Sequence, residues 1–398
     1  MKQEKWKLTP EQEVIVGAVR ADRMRDSRIR ELIQQGLDWP ALCRTALRHG
    51  VLPVVSIRLE ELGQDLVPEE EIVRLKQFRH ANLRRSLVMT AELLKIITHL
   101  DSQGLAAIPF KGPVLAVQAY GDSGLRQFAD LDLLVRKKDL RAVGEQLAKH
   151  GYSLLDAFTP AQERAHLKHA NEVTFSARNG AAFLDVHWQF AADYLTAAND
   201  PAVAFERQTS VLLEGRRVPA LAAGDMLFYL CLNGLKYTWA KLSLLCDIAR
   251  VIESDANLDW EDLLLKAETA GIRRAFLLGI ALARDILGTS VPASIPEAAG
   301  KDRVIRVLRE RARIRLFERG DEEPGFLETA RFQLPAKDRL SDRISYCFIR
   351  AFFPTAEDWK LLSLPDSLYF LYYFIRPLRL AGLYTRRGRT GPSSKTHS

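Results

Sequence analysis

Two aspartates interrupt an apolar run in the first half of the chain. Asp130 and Asp132 are spaced i, i+2 and alternate with Leu131 and Leu133, which predicts a strand with both acids on one face and both leucines in the core. Like charges on one face repel, and a divalent cation relieves that repulsion. Mg²⁺ suits the site, because it is often held by one or two carboxylates together with substrate phosphates. The alternative is an edge strand with two solvated acids.

The segment before this strand predicts a phosphate-binding turn. A short buried strand over 105–110 is followed by Lys111-Gly112-Pro113 and a helical run to Tyr120, as expected at a strand-to-helix junction. Such a helix start offers backbone N–H groups and a positive dipole end to an anion, and Lys111 adds a cation. Alternatively, Gly112 only forms a turn and Lys111 is solvated. The next loop delivers Arg126, which either holds a triphosphate or pairs with one of the two aspartates.

A third acid is expected on a later strand. The arms 172–178 and 182–188 flank Asn179-Gly180, a strong hairpin signal, and in the second arm Asp185 and His187 share one face. Asp is disfavoured in strands, so Asp185 needs a functional reason or a salt bridge with Arg178 or Lys168. For His187 we favour a packed or surface position over metal ligation.

The order of these motifs resembles the polymerase-beta-like nucleotidyltransferase superfamily. More closely, the chain resembles a family of uncharacterised bacterial nucleotidyltransferases found beside peptide-modification and exopolysaccharide genes. The segments that carry the resemblance are Phe110-Lys111-Gly112, Tyr120-Gly121-Asp122, Gly124-Leu125-Arg126, Asp130-Leu131-Asp132-Leu133-Leu134-Val135 and Leu184-Asp185-Val186-His187-Trp188. Residues 230–239 and 244–250 resemble the helical segment of that family, so the resemblance spans most of the chain.

The resemblance implies an enzyme that moves a nucleotidyl group from an NTP such as ATP to a hydroxyl or phosphate acceptor. Its implied metal and catalytic residues are Asp130, Asp132 and Asp185, which hold two Mg²⁺ ions, with Asp185 also assisting acceptor deprotonation. The implied nucleotide contacts are Lys111, Gly112 and Arg126. Helix spacing adds Lys236, which it places with Trp239 on one face toward nucleotide or acceptor. The acceptor would be a small molecule, peptide or glycan.

Two departures from these relatives stand out. The wider superfamily usually has Gly-Ser where this chain has Lys111-Gly112, and the closer family commonly has His where Asn233 and Tyr237 stand here. The alternative function is a non-catalytic interaction protein that keeps the fold. Three mutually repelling carboxylates favour the enzyme.

The rest of the chain predicts an α+β protein, with a small mixed β-sheet core flanked by N-terminal and C-terminal helical regions. We expect a helical region over 1–100, the nucleotidyltransferase-like core over 101–220 and a helical segment over 221–300, in which Asp225 caps a helix, Trp239 is core and Asp247 pairs with Arg250. A helical, aromatic-rich region follows over 301–384, then a disordered basic tail over 385–398. Four scattered cysteines and no signal peptide favour buried free thiols in a reducing cytoplasm.

The charge distribution gives no ground for nucleic-acid binding. Of the net charge of +7, four charges lie in the tail, at Arg386, Arg387, Arg389 and Lys395, so a basic body is not indicated. The segment from Leu368 to Leu380 is aromatic and flanked by arginines. It suits either a peripheral helix on an anionic membrane or a helix docked on the protein. We favour docking, because Pro365 and Pro377 bound a stretch too short to anchor strongly.

Overall fold

A five-stranded mixed sheet forms the centre of the fold. The computed structural model describes residues 8–387 apart from 21, 23–24, 64, 179, 181, 197–200 and 319–323. The strands of this sheet are β1 (Ala107–Pro109), β2 (Asp130–Val135), β3 (Tyr152–Leu154), β4 (Glu172–Ala177) and β5 (Phe183–His187). Their spatial order is β1-β2-β5-β4-β3, in which β2 and β5 are parallel and the other neighbours are antiparallel. This mixed sheet among helices confirms the predicted α+β class.

Helices precede the sheet and are interspersed with its strands. Those before it are α1 (Pro10–Val19), α2 (Asp26–Gln35), α3 (Trp39–Arg48), α4 (Leu52–Leu62) and α5 (Glu69–Ser102). Between the strands lie α6 (Gly112–Tyr120), a 3₁₀ turn (Lys137–Asp139), α7 (Leu140–Lys149) and α8 (Pro160–His169). After the sheet come α9 (Ala202–Glu206) and a second hairpin, β6 (Thr209–Leu213) with β7 (Arg216–Ala220), which the sequence analysis did not predict.

The remaining chain is helical. It comprises α10 (Ala223–Lys236), α11 (Leu242–Ser254), α12 (Trp260–Thr269), α13 (Arg273–Leu282) with a π turn (Ala283–Leu287), α14 (Ser294–Lys301), α15 (Arg303–Phe317), α16 (Phe326–Gln333), α17 (Leu340–Phe352), α18 (Ala356–Leu361), a 3₁₀ helix (Asp366–Leu371) and α19 (Tyr372–Arg387). Among all the residues that the structure describes, no helix is long and apolar enough to cross a membrane. Of the predicted tail, residues 388–398 lie outside the described residues, and 385–387 extend α19.

The long helix α5 supports the sheet. Its buried residues Met89, Leu93, Ile96 and Leu100 recur at helical spacing and share one apolar cluster with Leu131 and other residues of the central strands. An i, i+4, i+7 repeat places side chains on one helix face, so this face covers the side of the sheet onto which the leucines of β2 project. The acids of β2 therefore face the opposite side.

Two predictions in the helical segment are wrong. Asp225 is not a helix cap: Ala222 holds that position, and Asp225 is buried in an ion pair with Arg207 at 2.5 Å. Asp247 does not pair with Arg250, whose partner is Glu253. In contrast, Trp239 is fully buried in the main apolar cluster, as predicted.

The cysteine prediction is only partly correct. All four cysteines are free, and Cys231 and Cys246 are buried, but Cys347 is exposed on α17. α17 is amphipathic, and Cys347 lies on its solvent-facing side. The exposure of Cys347 therefore follows from its position rather than from its residue type.

Candidate active site

The parallel pairing of β2 with β5 brings two acids side by side. Asp132 lies opposite Asp185 in the register, and Asp130 lies opposite Phe183. Because side chains alternate along a strand, Asp130 and Asp132 project from the same face as Asp185. Asp132 is 2% exposed, whereas Asp130 and Asp185 are only partly buried. Three carboxylates thus line one side of two neighbouring strands.

Asp132 is the most tightly held of these acids. Its Oδ1 atom forms an ion pair with the Lys111 ammonium and lies 3.1 Å from Nε2 of His187. Burial alone would raise the pKa of Asp132, but the charge of Lys111 and the contact with His187 hold it well below its usual range. The other oxygen, Oδ2, is buried without a hydrogen-bond partner among the described atoms. One carboxylate oxygen is therefore free to accept a ligand.

Asp185 has a different environment. Its Oδ1 atom accepts a hydrogen bond of 2.6 Å from the Thr174 hydroxyl on β4. Burial raises the pKa of Asp185, and the nearby Asp132 carboxylate raises it further. The predicted alternative, a salt bridge with Arg178 or Lys168, is not among the ion pairs of the described residues.

His187 completes a group of three ligand atoms. One atom each from Asp132, Asp185 and His187 lies within 4.8 Å of the others, close enough to hold one metal ion. Two further contacts hold the His187 ring in place. Its Nδ1 atom lies 3.1 Å from Glu172 Oε2, and the ring packs edge-on against Phe110 at 5.1 Å between ring centroids. This burial agrees with the packed position we favoured for His187, but its neighbours also make it a candidate ligand.

Glu172 links His187 to Lys236. The Lys236 ammonium lies 3.0 Å from Glu172 Oε1, and the two residues approach from β4 and the end of α10. Burial would raise the pKa of Glu172, but the His187 ring and the Lys236 ammonium lower it to about 2. Lys236 therefore lies near the site, in contact with an acid that orients a candidate metal ligand. Such outer contacts commonly set the orientation of a ligating histidine.

Lys111 stands where β1 meets α6. It occupies the position before the first residue of α6, and Gly112 has φ of 53°, a conformation that favours glycine. A Cβ atom at Gly112 would also lie 3.4 Å from the Asp130 carbonyl oxygen. The backbone N–H of Phe110 donates to the Asp132 carbonyl at 3.3 Å. The turn is thus tied to the acid-bearing strand, which explains why Lys111 reaches Asp132.

Aromatic side chains surround the Lys111 ammonium. It lies 5.5 Å from the centroid of the Tyr229 ring and 5.9 Å from that of Phe110. Burial alone would lower the pKa of Lys111, but Asp132, Tyr229 and Asp130 raise it well above its usual range. Lys111 therefore remains charged beside the acids. The solvated alternative for Lys111 is wrong, because its ammonium is buried in an ion pair with Asp132.

Arg126 forms a separate buried ion pair. Its guanidinium makes two contacts of 3.0 Å with the Asp247 carboxylate, to Oδ1 and Oδ2, and the Tyr120 hydroxyl donates to the same carboxylate at 2.7 Å. The alternative in which Arg126 pairs with Asp130 or Asp132 is wrong, because Asp247 takes that place. This pair fastens the loop before β2 onto α11.

The sequence analysis did not assign Glu172, Thr174 and Tyr229 to the site. A signal for the first two was present: counting outward from Asn179-Gly180 pairs Glu172 with His187 and Thr174 with Asp185, as the strands do. Asn179 itself lies outside the described residues. Nothing local in the sequence indicates Tyr229, which reaches the site only through the packing of α10 on the sheet.

Carboxylates on adjacent strands, next to a lysine at a helix start, are groups that phosphoryl-transferring enzymes use to hold a cation and phosphate oxygens. A family model described as "Uncharacterised nucleotidyltransferase" matches residues 35–288. The chain therefore belongs to this nucleotidyltransferase family, and the resemblance inferred from the motifs is confirmed. A comparison with curated proteins gives no match.

Solved structures give distant likenesses. The solution structure of the antibiotic-resistance factor ANT(2'')-Ia is 13% identical, with 58% of this chain and 94% of that chain covered and a TM-score of 0.28. A crystal structure of ANT(2'')-Ia with adenylyl-2''-tobramycin is 16% identical, with 57% and 98% covered and a TM-score of 0.27. An antigenic nucleotidyltransferase-like protein from Paracoccidioides brasiliensis is 15% identical, with 53% and 94% covered and a TM-score of 0.30.

Proposed function

We propose that this nucleotidyltransferase moves a nucleotidyl group from an NTP to a hydroxyl or phosphate group on a small-molecule, peptide or glycan acceptor, with Mg²⁺ as its cation. The observation that carries the proposal is the meeting of Asp132, Asp185 and His187 on two parallel strands beside the Lys111 ammonium. Negative and positive groups are thus available for a metal ion and for phosphate oxygens in one place.

The residues present fit a divalent cation. Asp132 Oδ2 is buried without a hydrogen-bond partner among the described atoms, a costly arrangement that a bound ligand would relieve. The carboxylates of Asp132 and Asp185 suit Mg²⁺ and Mn²⁺. A bound cation would neutralise phosphate charge and polarise the reacting phosphoryl group. Asp132, Asp185 and His187 would hold one ion. A second ion would need Asp130, which lies two residues before Asp132 on β2.

Lys111 and Gly112 support the proposed phosphate contacts. The start of α6 has no side-chain cap among the described residues, so its N–H groups and the dipole of the helix are available to an anion. We assign Arg126 and Lys236, also predicted to contact nucleotide, to the surroundings of the site. Each is already in an ion pair, with Asp247 and Glu172 respectively.

Asp185 is the proposed proton acceptor. It is less buried than Asp132 and His187, which leaves it open to an acceptor molecule. The acceptor oxygen would bond to the α-phosphorus as its proton passes to Asp185, while the bond from that phosphorus to the bridging oxygen breaks and pyrophosphate leaves. Lys111 would neutralise charge on the phosphates throughout this step.

Label transfer tests the proposal. Purified protein is incubated with each of the four NTPs, labelled at the α-phosphate, with Mg²⁺ or Mn²⁺ and a cell extract that supplies acceptors. We expect a labelled product from at least one NTP, and at least about a hundredfold slower labelling by Asp132→Asn. Asp65→Asn, an exposed acid outside the site, is the matched control. Labelling by Asp132→Asn at the parent rate, or none by the parent with any NTP, would contradict the proposal.

A further inference from the structure

The C-terminal helices present an apolar face that the proposed function does not use. On α17 the side chains of Leu340, Ile344 and Phe348 are exposed by 70%, 64% and 54%, and they recur every four residues. On α19 Phe374 and Leu378 are exposed by 65% and 72%, again four residues apart. We call these five residues, together with Phe352 and Phe370, the C-terminal apolar face.

Aromatic contacts join the two helices. Phe348 meets Phe352 at 5.2 Å and Phe353 at 5.9 Å between ring centroids, and Phe353 meets Tyr373 of α19 at 5.6 Å. These ring contacts pack α19 beside the end of α17 that carries Phe348 and Phe352. Apolar areas of this kind commonly mark a site of interaction.

Contacts on the inner face of α19 hold this helix against the rest of the protein. Tyr372 is fully buried and its hydroxyl donates to the Leu362 carbonyl at 2.6 Å. Arg376 is 3% exposed and pairs with the buried Asp358 at 2.7 Å, and Arg379 pairs with the same carboxylate at 2.6 Å. The predicted docking of this segment is thus confirmed for one face. Because these contacts hold that face inward, Phe374 and Leu378 are kept outward.

Charge distinguishes among the partners that such a face can take. Residues 337–398 contain eleven Lys or Arg and five Asp or Glu, so this region carries +6 of the net charge of +7. Arg386, Arg387, Arg389 and Lys395 follow Leu378 with no intervening acid. A second copy of this chain would bring two such positive regions together, whereas an anionic bilayer attracts each one.

From these observations we propose that the C-terminal apolar face binds the surface of an anionic lipid bilayer. Phe374 and Leu378 would enter the boundary between headgroups and acyl chains, and the net positive charge of residues 337–398 would attract the protein to anionic lipid. The proposal is independent of the nucleotidyl transfer, because the face shares no residue with the site around Asp132.

Vesicle sedimentation tests this binding. The full chain is mixed with phosphatidylcholine vesicles that contain about 30 mol % phosphatidylglycerol, or none. We expect sedimentation with the anionic vesicles only, and at least about tenfold weaker binding when salt rises from about 50 to about 500 mM. Binding that is equal for both vesicle types would overturn the proposal.

Paired variants identify the surface. The double variant Phe374→Ser with Leu378→Ser changes only exposed side chains, so its melting temperature should stay near that of the parent. Its affinity for anionic vesicles should fall at least about tenfold. Leu265→Ser, on α12, is the matched control, since Leu265 is 64% exposed, and it should bind like the parent.

Light scattering separates the membrane from a second copy of the chain. We expect the same molar mass for the parent and the double variant without lipid. A concentration-dependent dimer that the double variant abolishes, together with no vesicle binding by the parent, would overturn the proposal and assign the face to self-association. Parent-like vesicle binding by the double variant would also overturn it.

Discussion

Replacing Lys111 with Met tests the buried charge balance around Asp132. Met is of similar length and carries no charge, so the variant leaves Asp132 with His187 at 3.1 Å as its remaining ion-pair partner in the described structure. Removing one partner of a buried pair costs about 3 to 5 kcal/mol, because the other charge stays buried and uncompensated. Since His187 still contacts Asp132, we expect a loss of about 3 kcal/mol in the free energy of unfolding.

This loss converts to a measurable change in melting temperature. At about 2.1 cal/mol/K per residue, the 398 residues give an unfolding entropy of about 0.84 kcal/mol/K. A loss of about 3 kcal/mol then lowers the Tm by about 3.6 °C if the chain unfolds in one transition. Calorimetry and urea unfolding at pH 7, with chelator to remove metal, measure the change. Lys138→Met is the matched control, because Lys138 is exposed.

The pH dependence of the loss checks its cause. The folded-state pKa of Asp132 is depressed, because Lys111 and His187 outweigh the effect of burial. A depressed carboxyl pKa gives stability that is present above the unfolded pKa of about 3.9 and is lost as the pH falls through the folded value. The difference between parent and Lys111→Met should therefore shrink below about pH 4.

A double variant completes the test. Adding Asp132→Asn to Lys111→Met removes the uncompensated charge and should recover most of the lost stability, which would be a coupling between the two sites. An unchanged Tm for Lys111→Met at pH 7, or an equal loss in Lys138→Met, would refute the reasoning.

Four further predictions concern two acids and the C-terminal helices. Asp185→Asn should lower kcat more than NTP affinity, in steady-state kinetics and calorimetry, because the loss appears chiefly in the transition state; equal losses would make Asp185 a plain metal ligand. In metal-free protein the same variant should raise the Tm at pH 7 and change it little near pH 3, since the raised pKa of Asp185 means that its charged form costs stability. Asp247→Asn should lower the free energy of unfolding by about 3 kcal/mol in urea titrations, because it leaves the buried Arg126 unpaired, and a loss under about 1 kcal/mol would contradict a buried pair. Deleting everything after Leu364 should cause aggregation or a Tm several degrees lower, because Tyr372 and the partners of Asp358 are removed, and an undisturbed Tm would show that α19 is not docked.

Local patterns predicted the elements that carry the site. Alternation around Asp130 and Asp132 indicated β2, and Asn179-Gly180 indicated the hairpin of β4 and β5, because side-chain period and turn chemistry are properties of neighbouring residues. The turn at Lys111-Gly112 was predicted for the same reason. Its glycine is required by a positive φ, which only the structure shows.

Pairings between distant segments were beyond such patterns. The adjacency of Asp132 and Asp185 depends on β2 and β5 being parallel neighbours, and hydrophobic period does not specify strand order. The partner of Arg126 is 121 residues away, at Asp247, so a pattern of neighbouring residues could not indicate it, and the alternative pairing with Asp130 or Asp132 was wrong. The segment from Leu368 to Leu380 posed a similar problem. Its sequence pattern suited both a docked helix and an exposed one. In the structure one face of α19 is docked, with Tyr372 and Arg376 buried, and another face is exposed, with Phe374 and Leu378.

Calorimetric titration of Mg·NTP into the parent and Asp132→Asn tests the central claim most directly. The claim is that Asp132, Asp185 and His187 form one metal and nucleotide site. Asn removes the charge with little change in volume, so melting curves should show that the variant is folded. We predict that the parent binds Mg·NTP, and that Asp132→Asn binds it at least about tenfold more weakly. Equal binding by a folded Asp132→Asn and the parent would contradict the claim.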